Sequence, residues 1–178
     1  MKLQKLIIKN IASIEEAEID FEKNPLASTE IFLITGKTGA GKTTILDAIC
    51  LALFDEVPRL KNSNVGGKDF ADEKVAVNDV EQLLRRGTSC GSVILTFEGN
   101  NGMNYESTWS IVRNKPDKKT KTSSGLSLKN LNTNDVLSKK SLVKEEIKKI
   151  IGLDFSQFCR TTMLAQGEFT QFLNSKDN

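Results

Sequence analysis

An α/β fold carrying an inserted antiparallel meander is what this sequence predicts, on three observations. A short apolar run, Ile31-Phe32-Leu33-Ile34, leads directly into the glycine-rich stretch Gly36-Lys37-Thr38-Gly39-Ala40-Gly41-Lys42-Thr43. The run from Ile45 to Phe54 is apolar everywhere except Asp47, too long for a strand and patterned as a helix buried nearly all round. Alternating segments before and after these, separated by Gly, Asn and Pro, read as antiparallel strands.

The glycine-rich stretch fits G-x-x-x-x-G-K-[ST], the phosphate-binding loop. With Gly near ~7% of residues, a chance match in a chain this long is on the order of one in a hundred or less. Glycines let the backbone curl so that successive N–H groups face phosphate oxygens, and the positive end of the following helix reinforces the attraction. Lys42 then reaches the β- and γ-phosphates, and the Thr43 hydroxyl is a ligand for Mg²⁺. A strand before the loop and a buried helix after it are the context the motif requires.

Composition limits the alternatives. A chain of 178 residues suffices for one domain with a real core, and a net charge of +2 does not announce a nucleic-acid binder. Cys50, Cys90 and Cys159 lie far apart and never form a C-x-x-C pair, which predicts reduced core thiols of a cytosolic protein. Histidine is absent, which removes every His-based metal site or general base from the chain. Neither a signal peptide nor an apolar run near the ~18 residues of a membrane span is present, so no membrane partner is expected.

In chain order, Leu3 to Ile8 and Ala17 to Phe21 predict two strands. In the second, Glu16, Glu18 and Asp20 alternate with apolar residues. Asn24-Pro25 with Ser28-Thr29 makes the loop into the Ile31–Ile34 strand, and Val57-Pro58-Arg59 ends the buried helix. Residues 61–77 read as a long surface loop. A short helix capped by Asn78 runs through Leu84 and stops at Arg85-Arg86-Gly87. Ser92–Phe97 and Tyr105–Val112 predict a hairpin around Gly99-Asn100-Asn101-Gly102, and residues 114–125 a polar loop. Leu126–Leu131 and Asp135–Leu137 predict another hairpin. Leu142, Val143, Ile147, Ile150 and Ile151 form one helical stripe stopped by Gly152, and Asp154 or Ser156 caps a last helix to about Met163. Two strands before the phosphate-loop strand set this order apart from small enzymes that begin with that strand.

Other motifs fare less well. Leu51 to Phe54 followed by Asp55-Glu56 spells a magnesium-binding Asp beside a catalytic Glu, but it continues the buried helix, whereas such an Asp must arrive on a strand. Asn114-Lys115-Pro116-Asp117 fits the guanine-reading N-K-x-D, yet no D-x-x-G accompanies it. Ser123-Ser124-Gly125-Leu126 is a faint match to a serine-glycine signature and sits between strands. Arg113, Lys115, Lys118, Lys119 and Lys121 suit phosphate contact or a merely solvated loop equally, with no aromatic among them for base stacking. Gln166, in Met163-Leu164-Ala165-Gln166-Gly167-Glu168-Phe169, is of another kind, because an amide can ligate Mg²⁺ and orient a water.

Ile34 to Thr44 running into Leu46–Leu53, then Pro58-Arg59-Leu60, then Met163–Phe169 with Phe172-Leu173-Asn174, resemble the SbcC family. These are bacterial DNA-repair ATPases related to structural-maintenance-of-chromosomes proteins. The resemblance covers the whole chain and implies a P-loop NTPase of ABC-ATPase type. Residues 1–163 would form the N-terminal lobe of its head, and 164–178 the Q-loop and the start of a coiled-coil helix. It implies ATP and Mg²⁺ as cofactors, bound by Gly36 to Thr44 (Gly36, Lys37, Thr38, Gly39, Ala40, Gly41, Lys42, Thr43 and Thr44). Lys42 and Gln166 would be catalytic, Thr43 and Gln166 metal ligands, and Arg86, in Arg86-Gly87-Thr88, close to the nucleotide. Some relatives carry an arginine near the nucleotide where this chain has Ala12, a departure that bears on base contacts. In the family a returning C-terminal segment supplies the signature, the magnesium Asp with the catalytic Glu, and a switch histidine. The expected partners are that segment, a second head, an SbcD-like nuclease and double-stranded DNA, in the cytoplasm at the nucleoid. The rival classes are a stand-alone P-loop kinase or GTPase, which needs its magnesium Asp or guanine reader within this chain, and a non-catalytic DNA-binding module.

Overall fold

A computed structural model describes residues 1–29, 33–61, 80–113 and 123–162. Its framework is a six-stranded sheet, antiparallel at every pairing, formed by β1 (Lys2–Ile11), β2 (Ile14–Asp20), β3 (Cys90–Glu98), β4 (Asn104–Val112), β5 (Ser123–Asn130) and β6 (Val136–Leu137) in the order β2-β1-β3-β4-β5-β6. The link from β2 to β3 has to pass from one side of β1 to the other. It carries the glycine-rich loop, α1 (Lys42–Phe54), the single-turn α2 (Pro58–Lys61) and a 3₁₀ turn at Val80–Leu83. Helices α3 (Lys140–Ile151) and α4 (Phe155–Thr162) follow the sheet.

Period-2 alternation explains why the sheet has one dry face. In β3 the residues at Val93, Leu95 and Phe97 are buried while Ser92, Ile94 and Thr96 are half-exposed, and β4 repeats this with Tyr105, Ser107, Trp109 and Ile111 inward. Onto that face packs α1, which touches β1, β3 and β4 and also α3. From Ala48 to Phe54 no residue of α1 is more than 5% exposed, so this part of the helix has no solvent side. Ser107, on the inner face of β4, donates its hydroxyl to the Ala52 carbonyl at 2.5 Å, satisfying a buried backbone acceptor near the helix end. Phe54 meets the rings of Phe155 and Phe158 at 5.6 and 5.3 Å, which docks α4. Asp154 caps α4: its Oδ1 accepts the Gln157 N–H at 2.9 Å, and Gln157 Oε1 accepts the Asp154 N–H at 3.0 Å. Among the described residues, no helix is long and apolar enough to cross a membrane.

Four sequence expectations need correction. Ile31 and Phe32 lie outside the described residues, and Leu33 and Ile34 join no described strand; Leu33 is 86% exposed. A strand needs a neighbour for its ladder bonds, and among the described residues Leu33 and Ile34 pair with none of the six strands. Leu33, Ile34 and Thr35 instead line an open cleft of about 300 Å³ with Ile19, Phe21, Leu26, Ile45 and Ile49. Ser123 to Gly125 belong to β5 and not to a loop, because β4 runs on to Val112 and supplies partners for all three. Cys50 and Cys159 are buried thiols as expected, but Cys90 is exposed, standing at the first position of β3 on its outward parity. Finally, the helix expected before Arg85 is only the 3₁₀ turn Val80–Leu83, with Asn78 outside the described residues.

The β3–β4 turn does a second job, capping α3. Asn100 donates its N–H to Ile150 O at 3.0 Å and its Nδ2 to Ile151 O at 2.9 Å, so that the last carbonyls of α3 find donors. This approach leaves no room beside Gly99, where a Cβ would lie 2.5 Å from Ile150 Cγ2 and 2.8 Å from Asn101 Oδ1. Gly99→Ala is therefore expected to destabilise the chain by about 1–3 kcal/mol. Urea unfolding followed by circular dichroism checks this, and an unchanged midpoint would show that the turn has slack.

Candidate nucleotide-binding site

The loop preceding α1 is exposed from Thr35 to Ala40 and becomes buried only at Gly41. Gly39 and Gly41 hold φ of 84° and 87°, the left-handed region where a side chain would be strained, so the tight curl depends on glycine at both positions. Inside the curl the Ala40 N–H donates to Lys37 O at 3.1 Å. Gly41 is the N-cap of α1 and offers no side-chain cap, nor is there an acidic residue in the first helical turn. The first amides of the helix and the positive end of its dipole therefore face the loop with no anionic side chain beside them. That is the electrostatic setting of an anion site.

Lys42 folds back over this loop. Its Nζ donates to Gly36 O at 2.7 Å and to Lys37 O at 2.9 Å. An ammonium has three donors, and the loop's own carbonyls take two of them. The charge is thus fixed at the loop mouth by the same backbone that would wrap a phosphate chain, so little side-chain freedom remains to be lost on binding.

Of the two adjacent hydroxyls, Thr43 is exposed and Thr44 is 4% exposed. Thr44 Oγ1 lies 3.3 Å from Ser13 Oγ, so it is engaged with the β1–β2 turn. Thr43 is therefore the hydroxyl placed to meet a cation bound with phosphate, and it fits Mg²⁺ as one oxygen ligand among waters and phosphate oxygens. No group of three His, Cys, Asp or Glu side chains among the described residues could hold a metal by itself.

The wall behind the loop was not legible from the sequence. Ala12-Ser13, the two-residue turn between β1 and β2, packs against Gly41: a Cβ there would meet Ile14 Cγ1 at 3.2 Å and Ser13 Oγ at 3.4 Å. The turn is braced by the segment before β3, through the Ala12 N–H to Leu83 O at 2.6 Å and the Arg85 N–H to Asn10 O at 3.0 Å. Arg85 Nη1 donates to Ser13 O at 2.9 Å. Arg86, the residue expected near the nucleotide, is exposed on the same short segment. Sequence reading singled out Arg86 and passed over Arg85 and Ser13. Arg85 reaches the turn across 72 residues and Ser13 reaches Thr44 of α1 across 31, contacts that no local pattern encodes.

Asp55 and Glu56 are occupied elsewhere. Asp55 is the C-cap of α1, with φ 55°. Its Oδ1 accepts the Trp109 indole N–H at 2.6 Å and its Oδ2 accepts Lys140 Nζ at 2.8 Å. Lys140 also donates to Ser124 Oγ at 2.8 Å, which puts that serine inside β5 and away from any helix start. Glu56 stands 3.6 Å from Lys144. The acidic pair is thus a helix end at the far end of α1 from the loop, as its position in the apolar run predicts. Gln166, the N-K-x-D stretch at 114–117 and Lys115, Lys118, Lys119 and Lys121 lie outside the described residues; Arg113 is exposed at the end of β4.

Comparison with known proteins gives these features a family. A profile described as "AAA domain" matches residues 5–178. The SbcC component of the nuclease SbcCD from Pseudomonas aeruginosa is 43% identical over 185 residues, covering 100% of this chain and 15% of the relative. Its counterpart from Rhodobacter capsulatus is 38% identical over 181 residues, covering 98% of this chain and 14% of the relative. The chain thus spans only 15% and 14% of the length of these two relatives. A solved chain from work on the "Structural biochemistry of ATP-driven dimerization and DNA stimulated activation of SMC ATPases" aligns over 97% of this chain and 91% of its own. Its TM-score is 0.62 at 17% identity, a likeness of fold. With a glycine loop on an uncapped, enclosed helix and a profile match over nearly its full length, the chain belongs to the AAA-domain family of ATPases, among the relatives of SbcC.

Proposed function

We propose that this chain is the ATP-binding part of an SbcC-like ATPase head, formed by residues 1–163, with 164–178 continuing into a Q-loop and coiled coil. In this reading the head, paired with a second head and an SbcD-like nuclease, processes DNA ends and hairpins in the cytoplasm, at the nucleoid. ATP-driven head closure gates the nuclease. The single observation that carries it is the loop: Lys42 Nζ is held by Gly36 O and Lys37 O at the mouth of an uncapped helix N-terminus.

Within this reading the backbone from Gly36 to Thr44 wraps the phosphates and Lys42 neutralises the β- and γ-phosphates. Thr43 contributes its hydroxyl to Mg²⁺, and Gln166 contributes an amide oxygen to the same cation and orients the attacking water. Mg²⁺ supplies charge neutralisation between the phosphates. Arg86 would lie near the nucleotide in this reading, which is supported by its exposure on the segment that braces the β1–β2 turn. The residue that polarises the water is assigned to the C-terminal segment of the head. Asp55 and Glu56, the acidic pair within this chain, are committed to Trp109, Lys140 and Lys144.

Three measurements test this. Lys42→Ala is expected to weaken ATP–Mg²⁺ binding by about a hundredfold or more, since it removes the charge aimed at the phosphates. Isothermal titration reads the loss, and unchanged affinity would discard the assignment. The chain by itself is expected to release essentially no phosphate from ATP and to gain turnover with the C-terminal segment, with Glu56→Gln silent in both assays. Turnover by the chain alone that disappears in Glu56→Gln would make it a complete small NTPase. In the assembled protein, Gln166→Ala is expected to lower kcat by more than it lowers nucleotide affinity, because water alignment is felt in the transition state. A loss confined to affinity would leave Gln166 an ordinary binding contact.

A further inference from the structure

The phosphate loop is supported from one side. A Cβ built at Gly39 meets nothing within 4 Å, and Lys42 is tied to carbonyls of the loop itself. On the Gly41 side stand Ser13 and Ile14, at 3.4 and 3.2 Å from a Cβ placed there, with Ser13 Oγ 3.3 Å from Thr44 Oγ1. Among the described residues, then, what stands against the loop from outside is Ser13 of the turn together with Ile14, the first residue of β2. That turn is not a relaxed one. Asn10 and Ala12 hold φ of 55° and 46°, the left-handed region that costs a residue with a Cβ free energy and persists only where the surroundings hold it.

Main-chain bonds carry part of the restraint: Ala12 N–H to Leu83 O, Arg85 N–H to Asn10 O, and the bridge between Ile11 and Leu84. These stop at Ala12, and the β1–β2 ladder resumes with the Ile11–Ile14 pair, so Ser13 is the residue between them. Beyond them the Arg85 side chain reaches across to Ser13 O at 2.9 Å, with Glu15 Oε2 at 3.8 Å from Nη2. The Arg85 side chain is 34% exposed and that of Glu15 80% exposed, so the ion pair contributes little. The bond to the Ser13 carbonyl is what the planar fork is placed for.

We infer that Arg85 is a positioning residue for the phosphate loop: by pinning Ser13 it fixes the wall against which Gly41 and Thr44 sit, and so raises nucleotide affinity without touching the nucleotide. This rests on the nucleotide-binding reading of the loop. Removing the side chain leaves the main-chain bonds to Leu83 and Asn10 in place, so the fold persists while Ser13 loosens. The loop then samples geometries that bind phosphate poorly.

The test combines ATP–Mg²⁺ titration with amide hydrogen exchange of the nucleotide-free chain, for wild type, Lys42→Ala, Arg85→Lys, Arg85→Ala, Ser13→Ala and the Ser13→Ala, Arg85→Ala double variant. Arg85→Ala is expected to bind on the order of tenfold more weakly. Its exchange should quicken at Ser13, Ile14 and Gly41 to Thr44 and stay unchanged in β3 and β4, and Arg85→Lys should recover part of both. Because both residues act through one turn, the double variant should be no weaker than the weaker single variant. Affinity in Arg85→Ala within twofold of a wild type that Lys42→Ala disables would overturn the inference alone. Faster exchange throughout β3 and β4 would do the same, by showing a merely structural role. Should Arg85→Ala fail to fold, Arg85→Lys and Ser13→Ala carry the same comparison. A wild-type chain that does not bind ATP–Mg²⁺ would sink the nucleotide reading and this inference with it.

Discussion

A helical stretch without a solvent side must be enclosed, and the enclosure of α1 from Ala48 to Phe54 dictates most of what surrounds it. Each apolar side chain it buries contributes about 1.5–3 kcal/mol, but only if sheet and helices close over every face. β1, β3 and β4 cover one side of α1 and α3 packs against it as well, while Phe155 and Phe158 of α4 close on Phe54. The polar groups drawn inside by this enclosure find partners: Ser107 takes the Ala52 carbonyl, and Asp55 takes Trp109 and Lys140. Fixing the helix this firmly fixes its N-terminus too, and the glycine loop inherits its position from that.

The two ends of α1 use charge in opposite ways. At the N-terminus there is no acidic residue and no side-chain cap, and the only ammonium on the helix is turned back over the loop. At the C-terminus an aspartate with an 11% exposed side chain is neutralised by Lys140 and fed by an indole N–H. An acidic residue belongs by dipole at the start of a helix and is disfavoured at its end. Asp55 is held at that unfavourable end by two charge-assisted or desolvated bonds that reach β4 and α3, which explains how a motif resembling a catalytic pair comes to serve packing alone.

Local periodicity made much of this legible. The hairpins, the helix from Lys42 to Phe54, the α3 stripe and its Gly152 stop all follow from patterns a few residues long, and so does the loop with Lys42 at its mouth. What escaped depends on neighbours. Leu33 and Ile34 are apolar and read as a strand, but they pair with none of the described strands. Ser123 to Gly125 look like loop chemistry, yet β4 extends far enough to pair with them. Cys90 faces out because parity along β3, not its apolar character, decides its side. Arg85 and Ser13 carry no signature at all; they matter through hydrogen bonds that link positions distant in the chain.

The chain has a single tryptophan, and it is the residue whose indole meets Asp55. Trp109 is 0% exposed, anchored at 2.6 Å to the side-chain carboxylate of Asp55, whose backbone ends the very helix whose other end forms the phosphate loop. Indole emission shifts with the polarity and charge of its surroundings, so this one fluorophore reads the seating of α1 in the core without any label. Any event at the loop that slides or tilts the helix would register as a change in the native ultraviolet fluorescence of the protein, reported from the opposite end of the helix to the one where the event took place.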